Sequence, residues 1–476
     1  MTRKKEIISS LFSINQIAER IKVGEVLPTD LIEICLERVK KLNPSLCAFI
    51  TINDEELLYN QAERVEKDIK QGNYKGPLHG IPFSIKDIFF AKGVKFTAGS
   101  RIFNNQISDI DSPIVKTIKD NGAILIGCNN LNEFASGITG KNPFYGNSKN
   151  PWDQRHISGG SSGGSAVAVA TRMSMFSITT DTGGSTRVPS SLCGVIGVKP
   201  TYNLLNKQNV FPLSPTLDHV GYITNNAKDA TIVIEYLYNK EYNNKNPKFS
   251  HLDQRKKFER KLIAGIPKGY FLELVDSEVE NIFYAFLDKL PINKIKIQNI
   301  RLKNTEKYYC SWKDIRLSEA SLVHEKWMKL SICKYSDDVR NMLDEGTKIL
   351  AIDYIRSLNI IKEISQEFSA LLNNKVDIII VPTTIIPAPK LEEETIRIND
   401  YTTSVREALL RNTIVFNSIG LPSISIPIGL TKKDRLPVGL QLIGPKNKDV
   451  SILDIAGRLE SIVTENFNHF YPPISI

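Results

Sequence analysis

Two clusters of glycine and serine within residues 158–200 constrain this chain more than any other feature of its sequence. The first is GGSSGGS at 159–165 and the second is TGGST at 182–186. A flexible linker would continue into polar, low-complexity sequence. Here the first cluster runs into AVAVA, and the second is soon followed by Val188 and Pro189. Glycines embedded in apolar sequence indicate tight backbone beside a core, with serine hydroxyls where a substrate can approach.

The composition is that of an ordinary globular protein. Of the 476 residues, 41% are hydrophobic and 24% are charged, which is enough to bury a sizeable core. The formal charge of +9, from 61 Lys+Arg against 52 Asp+Glu, is scattered along the chain and disfavours a nucleic-acid surface. The six cysteines form no C-x-x-C pair, which favours free thiols in a reducing compartment. With no apolar signal segment and no long apolar run, we expect a cytoplasmic protein without membrane association.

Short apolar runs alternate with helical patterns from residue 76 onwards. Residues 123–127 and 175–179 predict buried strands, and residues 113–122 and 165–171 predict helices. Such alternation is typical of an α/β fold. We therefore predict one large domain with a mixed central β-sheet that is covered by helices on both faces.

In this interpretation the domain spans residues 1–476. Residues 1–75 form a helical N-terminal part, in which Ser13 and Thr29 are candidate helix caps. Residues from about 238 to 373 form a more variable, mainly helical middle segment.

The middle segment is expected to begin with an exposed connection and the chain to end in strands. The polar, Asn- and Lys-rich residues 238–260 predict the connection, and 261–267 predict a strand after it. Strands are also predicted at 376–382, 422–427 and 438–443, with the last two paired at the edge of the sheet.

Lys86 is the most suggestive charged residue, because it lies inside the apolar run from Ile81 to Phe90. Burial lowers the pKa of a lysine, so that its neutral amine can exchange protons with nearby hydroxyls. Two structural alternatives stay open at this point. Lys86 could pair with Asp87, or it could extend its amine to solvent.

Ser185 follows Gly183 and Gly184, so that backbone N–H groups unobstructed by Cβ atoms precede a hydroxyl. This arrangement suits an oxyanion hole, although a lone G-G-S is also typical of a simple turn. The sequence contains no G-x-S-x-G elbow, phosphate loop or H-E-x-x-H helix, and its six histidines are dispersed. Neither a histidine-based triad nor a metal site is predicted.

Taken together, these segments resemble the amidase signature family. Residues 159–201 resemble the family signature almost throughout, and Ser161 and Ser185 have the spacing of its two serines. GPLHGIP at 76–82, which leads to Lys86, resembles the family's lysine motif. The resemblance extends over roughly residues 12–460 and is weakest in the middle of the chain.

The resemblance implies a Ser-Ser-Lys triad for amide hydrolysis. Ser185 matches the nucleophile that forms an acyl-enzyme. Ser161 matches the bridging serine, which in the family follows a cis peptide bond. Lys86 matches the base that takes the proton through Ser161. The family needs neither a metal nor another cofactor for this chemistry, so none is expected.

The same resemblance implies the groups that bind the substrate. The backbone at Thr182, Gly183, Gly184 and Ser185 matches the oxyanion hole, and Ala135 matches a residue of the acyl pocket.

Three further residues near the nucleophile have expected roles. Asp181 and Arg187 flank it with opposite charges and are interpreted as a structural ion pair that positions the loop. Ser162 is a candidate support for the catalytic lysine.

Within the family, two activities are open. One is a stand-alone amidase, and the other is the glutaminase component of the glutamyl-tRNA(Gln) amidotransferase. That component usually carries D-G-x-R-Y/F-G in its middle third, and the nearest text here, YSDDVR at 335–340, does not fit. We therefore favour a stand-alone amidase acting on a small-molecule amide, with a homodimer left open. A partner subunit of the amidotransferase is expected only under the alternative.

Overall fold

The computed structural model describes residues 13–104, 106–238, 261–464 and 472–473. The α-helices of this part are α1 (Ile14–Lys22), α2 (Pro28–Leu46), α3 (Glu55–Lys70), α4 (Pro113–Asp120), α5 (Gly163–Ala170), α6 (Arg187–Cys193), α7 (Ala227–Leu237), α8 (Ser277–Asp288), α9 (Tyr308–Ser331), α10 (Asp337–Thr347), α11 (Ala351–Asn374), α12 (Val405–Leu410), α13 (Ile414–Ser418) and α14 (Asp449–Thr464). The strands are β1 (Phe49–Ile52), β2 (Pro82–Lys86), β3 (Lys95–Phe96), β4 (Gln106–Ile107), β5 (Ile124–Asn129), β6 (Phe176–Asp181), β7 (Ile196–Lys199), β8 (His219–Thr224), β9 (Leu262–Lys268), β10 (Ile295–Arg301), β11 (Ile378–Pro382), β12 (Thr395–Ile398), β13 (Tyr401–Ser404), β14 (Ser423–Leu430) and β15 (Pro437–Ile443).

One sheet of 11 strands organises the described chain, in the order β1-β5-β2-β6-β8-β7-β14-β15-β11-β9-β10. β2 is parallel to its neighbours β5 and β6, and β9 is parallel to its neighbours β10 and β11. The β6–β8 and β14–β15 pairs are antiparallel. The predicted mixed sheet is thus confirmed.

Helices cover both faces of the sheet, and the side chains of β5 show this by alternating between two cores. Ile124 and Ile126 pack with residues of α2, α3 and α5 in the smaller core. Leu125 between them points to the larger core, which includes residues of α4 and α7. Because successive side chains of a strand face opposite sides, each core lies on one face. The predicted two-sided α/β architecture is confirmed.

The parallel pairing of β2 with β6 positions the residues of interest. Ile85 is the partner of Ile178 in this ladder. Since parallel strands end at the same edge, Lys86 at the end of β2 lies beside the end of β6. The loop that carries Ser185 leaves β6 at that edge, and ligand sites in α/β sheets commonly lie at such an edge.

The predicted position of the last two strands is wrong. β14 and β15 do pair with each other, but β14 also pairs with β7, and β15 with β11. The edges of the sheet are β1 and β10. The reason is visible in the sequence, because nearly every residue of both strands is apolar or small and is buried. A strand that is buried on both faces belongs in the interior of a sheet.

Of the two predicted helix caps, the one at Thr29 is wrong and the one at Ser13 is confirmed in position only. Helix α2 begins at Pro28, so Thr29 lies inside its first turn, and its hydroxyl donates to Glu66 at 2.6 Å. Proline suits the first helical position because its missing N–H would have no helical partner there. Ser13 is the N-cap residue of α1, as predicted, but its hydroxyl makes no capping hydrogen bond and donates to Asp229 of α7 at 2.9 Å. Both side chains join distant segments instead of capping their own helices.

The middle segment contains more strand than predicted. β9 confirms the strand expected at 261–267, but β10 replaces part of the expected helical region. β10 pairs in parallel with β9 as an edge strand with mostly exposed side chains. The connection predicted at 238–260 falls almost wholly outside the described residues. No helix in the described ranges is both long enough and apolar enough to span a membrane.

Candidate active site

Lys86 is fully buried and points at two hydroxyls. Its Nζ donates to Ser161 Oγ at 2.7 Å and to Thr180 Oγ1 at 3.0 Å. The carboxylate of Asp87 turns away and accepts from the backbone N–H of Thr97 at 3.2 Å. Lys86 therefore neither pairs with Asp87 nor extends its amine to solvent, and both structural alternatives are wrong.

The electrostatics of Lys86 favour its neutral form. Burial lowers its pKa to about 7, although the negative charges of Asp181 and Asp218 oppose this shift. A lysine with a pKa near neutrality can accept a proton at physiological pH, which an ordinary lysine cannot do.

Ser161 belongs to the loop that leads into α5. The Gly160–Ser161 peptide bond is cis, and the Ser161 side chain is buried. The backbone N–H of Ser162 donates to the carbonyl of Ser185 at 3.2 Å, which ties the two glycine-serine loops together. The Ser162 hydroxyl donates to the carbonyl of Thr180 at 3.4 Å. The prediction that the Ser162 hydroxyl supports Lys86 is therefore wrong. The hydroxyl of Thr180 contacts Lys86 instead.

The Ser185 loop is organised by Asp181 at the end of β6. Its carboxylate accepts from the backbone N–H of Gly184 at 2.7 Å and of Thr186 at 3.1 Å. Arg187 forms a fully buried ion pair with it at 2.9 Å. Burial alone would raise the pKa of Asp181, but the charge and hydrogen bonds of Arg187 outweigh this and the pKa lies well below its usual value. The predicted structural ion pair is confirmed.

The backbone conformation at position 184 requires a glycine, but the N–H of Gly184 is not free to bind a substrate. Its φ of +139° is disfavoured for side-chain-bearing residues, and a Cβ there would lie 2.5 Å from Thr413 Oγ1. Because its N–H already donates to Asp181, it lacks the free donor that the oxyanion-hole prediction assigned to it. That expectation is corrected for Gly184.

Ser185 lies on a narrow cavity with three other predicted residues. Thr182, Gly183 and Ala135 line the same cavity, which has room for about one water molecule. Ser185 itself is only 4% exposed. The structure therefore gathers the predicted pocket residue and two of the predicted oxyanion-hole residues around the predicted nucleophile.

A larger cavity of about 290 Å³ adjoins the narrow one and shares Ala135 and Leu213 with it. Its wall is mostly apolar, and its polar residues include Thr180, His219 and the charged residues Lys207 and Asp218. His219 is buried, and its Nδ1 contacts the carbonyl of Leu217 at 2.7 Å. Such a cavity suits the apolar part of a small organic substrate.

Comparison with known proteins settles the family. The family model described as Amidase matches residues 30–453. This chain belongs to the amidase signature family. It is an amide-hydrolysing enzyme.

Relatives of this amidase cover nearly its whole length. One of them, a component of the glutamyl-tRNA(Gln) amidotransferase of Methylobacillus flagellatus, is 31% identical over 95% of this chain and 97% of that protein. A crystal structure of an amidase is 30% identical, covers 95% of this chain and 100% of its own, and gives a TM-score of 0.87. The native peptide amidase from Stenotrophomonas maltophilia, at 23% identity and a TM-score of 0.82, covers 98% of this chain and 99% of its own and shares the fold.

Sequence reasoning missed the residues of the amidase that come from distant segments. Thr180 contacts Lys86, and Trp312 Nε1 on α9 donates to the carbonyl of Thr182 at 3.0 Å. Arg316, one helical turn after Trp312, and Arg406 on α12 line the cavity of Ser185. The only available signal was the spacing of Trp312 and Arg316, which places both on one face of a helix.

The site offers no evident place for a metal ion. Across the described ranges, no group of three or more His, Cys, Asp or Glu side chains is arranged to hold one.

Proposed function

We propose that this amidase hydrolyses a carboxylic amide through an acyl-enzyme on Ser185, with Ser161 and Lys86 as proton relay and base. The observation that carries the proposal is the contact of 2.7 Å between Lys86 Nζ and Ser161 Oγ. A lysine that is buried, in contact with a serine and lowered in pKa has the properties of a general base.

In the first half of the reaction, the neutral amine of Lys86 takes a proton from Ser161. Ser161 takes the proton of Ser185, whose oxygen attacks the amide carbonyl to form a tetrahedral intermediate. The backbone amides of Thr182, Gly183 and Ser185 are the proposed donors to its oxyanion. When the C–N bond breaks, the proton returns from Lys86 through Ser161 to the departing nitrogen.

In the second half, water attacks the acyl group on Ser185. The same relay accepts the proton of this water and returns it to Ser185, so that the acid leaves and the enzyme is restored. This is a serine–lysine variant of the catalytic-triad logic, with Lys86 in the place of histidine.

We propose a stand-alone amidase for small-molecule amides, located in the cytoplasm. The absence of the D-G-x-R-Y/F-G stretch supports the first part. The second is supported by six free cysteines, which suit a reducing compartment. A homodimer is compatible with both.

The second candidate is the glutaminase component of a glutamyl-tRNA(Gln) amidotransferase, which would act with a partner subunit. Similarity to components of that enzyme over nearly the full chain favours it, including 30% identity to the one of Thermotoga maritima.

Ammonia release from simple aliphatic and aryl amides by the purified chain tests the proposal. We expect turnover without any partner, and a loss of at least about 1000-fold in kcat for Ser185→Ala. The control variant Ser277→Ala, at the exposed first position of α8, should match the wild type. Activity on glutamine alone, and only with a co-purifying partner, would replace the first candidate by the second.

A further inference from the structure

Two arginines, Arg316 and Arg406, line the cavity of Ser185, and the same wall contains no acidic residue. Arg316 comes from α9 and Arg406 from α12, so two separate segments of the chain bring positive charge to one place. The mechanism proposed above uses neither of them.

Arg316 is buried without a carboxylate partner. It is only 4% exposed, and its Nε has no hydrogen-bond partner among the described residues. Its Nη1 contacts Met342 Sδ at 3.0 Å, and its Cζ lies 5.1 Å from the centroid of the Trp312 ring. A thioether is a weak acceptor, so most of the donor capacity of this guanidinium is unused.

The acidic groups near the two arginines are engaged elsewhere or distant. Glu345 acts on both arginines through its charge, but it forms an ion pair with Lys313 at 2.6 Å. Asp338 acts on Arg406 through its charge, and Arg406 donates a hydrogen bond to the Tyr309 hydroxyl. Arg406 is partly buried at the cavity. The local excess of positive charge is therefore not neutralised by the protein.

Two arginines without carboxylate partners at one cavity cost free energy unless a bound anion pairs with them. Burial lowers the pKa of Arg316, and the neighbouring charge of Arg406 lowers it further. A guanidinium nevertheless stays protonated in proteins, so the energetic cost remains in the empty site. Arginine binds carboxylates through two parallel hydrogen bonds, and an anion here would satisfy the free donors of both residues.

We infer that the substrate is an amide whose acyl part carries a small anionic group, a carboxylate, which Arg316 and Arg406 bind. This inference rests on the proposed function, because it places the acyl carbon at Ser185. The narrowness of the cavity restricts the anion to a small group. An amide that carries an ammonium group at that position is disfavoured, because the positive charges of Arg316 and Arg406 repel it.

Three amides of similar size and different charge test the inference: succinamate, neutral butyramide and cationic 4-aminobutanamide. Hydrolysis of succinamate consumes one water and gives succinate and ammonia. We expect kcat/KM for succinamate to exceed that for butyramide by at least about tenfold, as charged hydrogen bonds commonly provide. The cationic amide should be the poorest substrate.

The arginine variants identify the residues responsible. Arg316→Met and Arg406→Gln should each lower kcat/KM for succinamate, mainly through KM, by about tenfold more than they lower it for butyramide. Arg316→Lys should recover part of the loss. Arg340→Gln, on an exposed surface ion pair, is the control and should change neither substrate. Because Arg406 is only partly buried, its variant is informative even if Arg316→Met fails to fold.

Binding to the Ser185→Ala variant separates this inference from the proposed chemistry. We expect calorimetry to detect succinamate, and a second change, Arg406→Gln, to weaken it about tenfold. Binding that depends on the arginine supports the inference even if hydrolysis proves absent. Equal hydrolysis of succinamate and butyramide, or a preference for succinamate that survives both arginine variants, would overturn it while leaving the acyl-enzyme chemistry intact.

Discussion

At the scale of single residues, the burial of Lys86 gives the proposed mechanism a base that is not a histidine. The side chain is enclosed by apolar neighbours that the sequence already displayed, and its amine finds two hydroxyls in place of a carboxylate. Desolvation without a paired counter-charge is what brings its pKa to about 7.

The pKa of Lys86 predicts the pH dependence of the reaction. Because only the neutral amine can accept a proton, kcat/KM should rise with pH until it levels off above about pH 7. Thr180→Val removes an acceptor that stabilises the ammonium form more than the amine. The rising limb should therefore move to lower pH, by about one unit.

A pH–rate profile of both proteins measures this shift. Thr347→Val, at an exposed position of α10, is the matched control and should keep the wild-type profile. A limb that does not move in Thr180→Val, or that moves to higher pH, would show that this hydroxyl does not control the protonation of Lys86.

At the scale of elements, the loop between β6 and α6 is held by one carboxylate. Asp181 accepts from two backbone amides of the loop and from Arg187, and Asn417 of α13 donates to it at 2.9 Å. Contacts within the loop and with the distant helix α13 thus hold the loop that carries Ser185. The Ser185 hydroxyl is therefore positioned before a substrate binds.

Asp181→Asn should lower the free energy of unfolding by about 3–5 kcal/mol, because it leaves the charge of Arg187 buried and unpaired. Since the pKa of Asp181 is lowered in the folded state, its stabilisation is present above the unfolded pKa of about 4. It is lost as the pH falls through the folded pKa. The difference between wild type and variant should therefore shrink in acid.

Urea unfolding at neutral and acidic pH measures this difference. Asp337→Asn, which breaks an exposed ion pair with Arg340, should cost less than about 1 kcal/mol. A similarly small loss for Asp181→Asn at neutral pH would mean that the ion pair does not hold the loop.

The sequence predicted which segments form helices and strands better than it predicted where the strands lie in the sheet. The strand near residues 123–127 and the helix near 113–122 follow from local apolar patterns, and both are present in β5 and α4. The register and neighbours of a strand depend on distant partners, so the interior position of β14 could not be read locally. β10 was missed because an edge strand with exposed side chains lacks the apolar pattern of a core strand.

At the scale of the whole molecule, the sheet brings together residues that are far apart in sequence. Lys86 and Ser161 meet because β2 and β6 are parallel neighbours and the first glycine-serine loop packs at their ends. Family resemblance predicted these residues as a set, and the topology explains their meeting. The walls of the cavity come from α9 and α12, so their charge could not be predicted from the motifs.

The helices that cover the sheet add two residues of the middle segment to the surroundings of Ser185. Trp312 contacts the nucleophile loop, and Arg316 adds charge to the cavity beside it. The inferred selection of an anionic acyl group depends on Arg316 of this segment and on Arg406 of α12. The proposed chemistry therefore depends on residues at the edge of the sheet, and the inferred choice of substrate depends on the helices that cover it.

The most direct test of the central claim is the covalent labelling of Ser185 by a fluorophosphonate, followed by mass spectrometry. The account predicts a single adduct that maps to Ser185, disappears in Ser185→Ala, and forms much more slowly in Ser161→Ala and Lys86→Met. An adduct on another residue, or labelling that persists unchanged in Ser185→Ala, would contradict it.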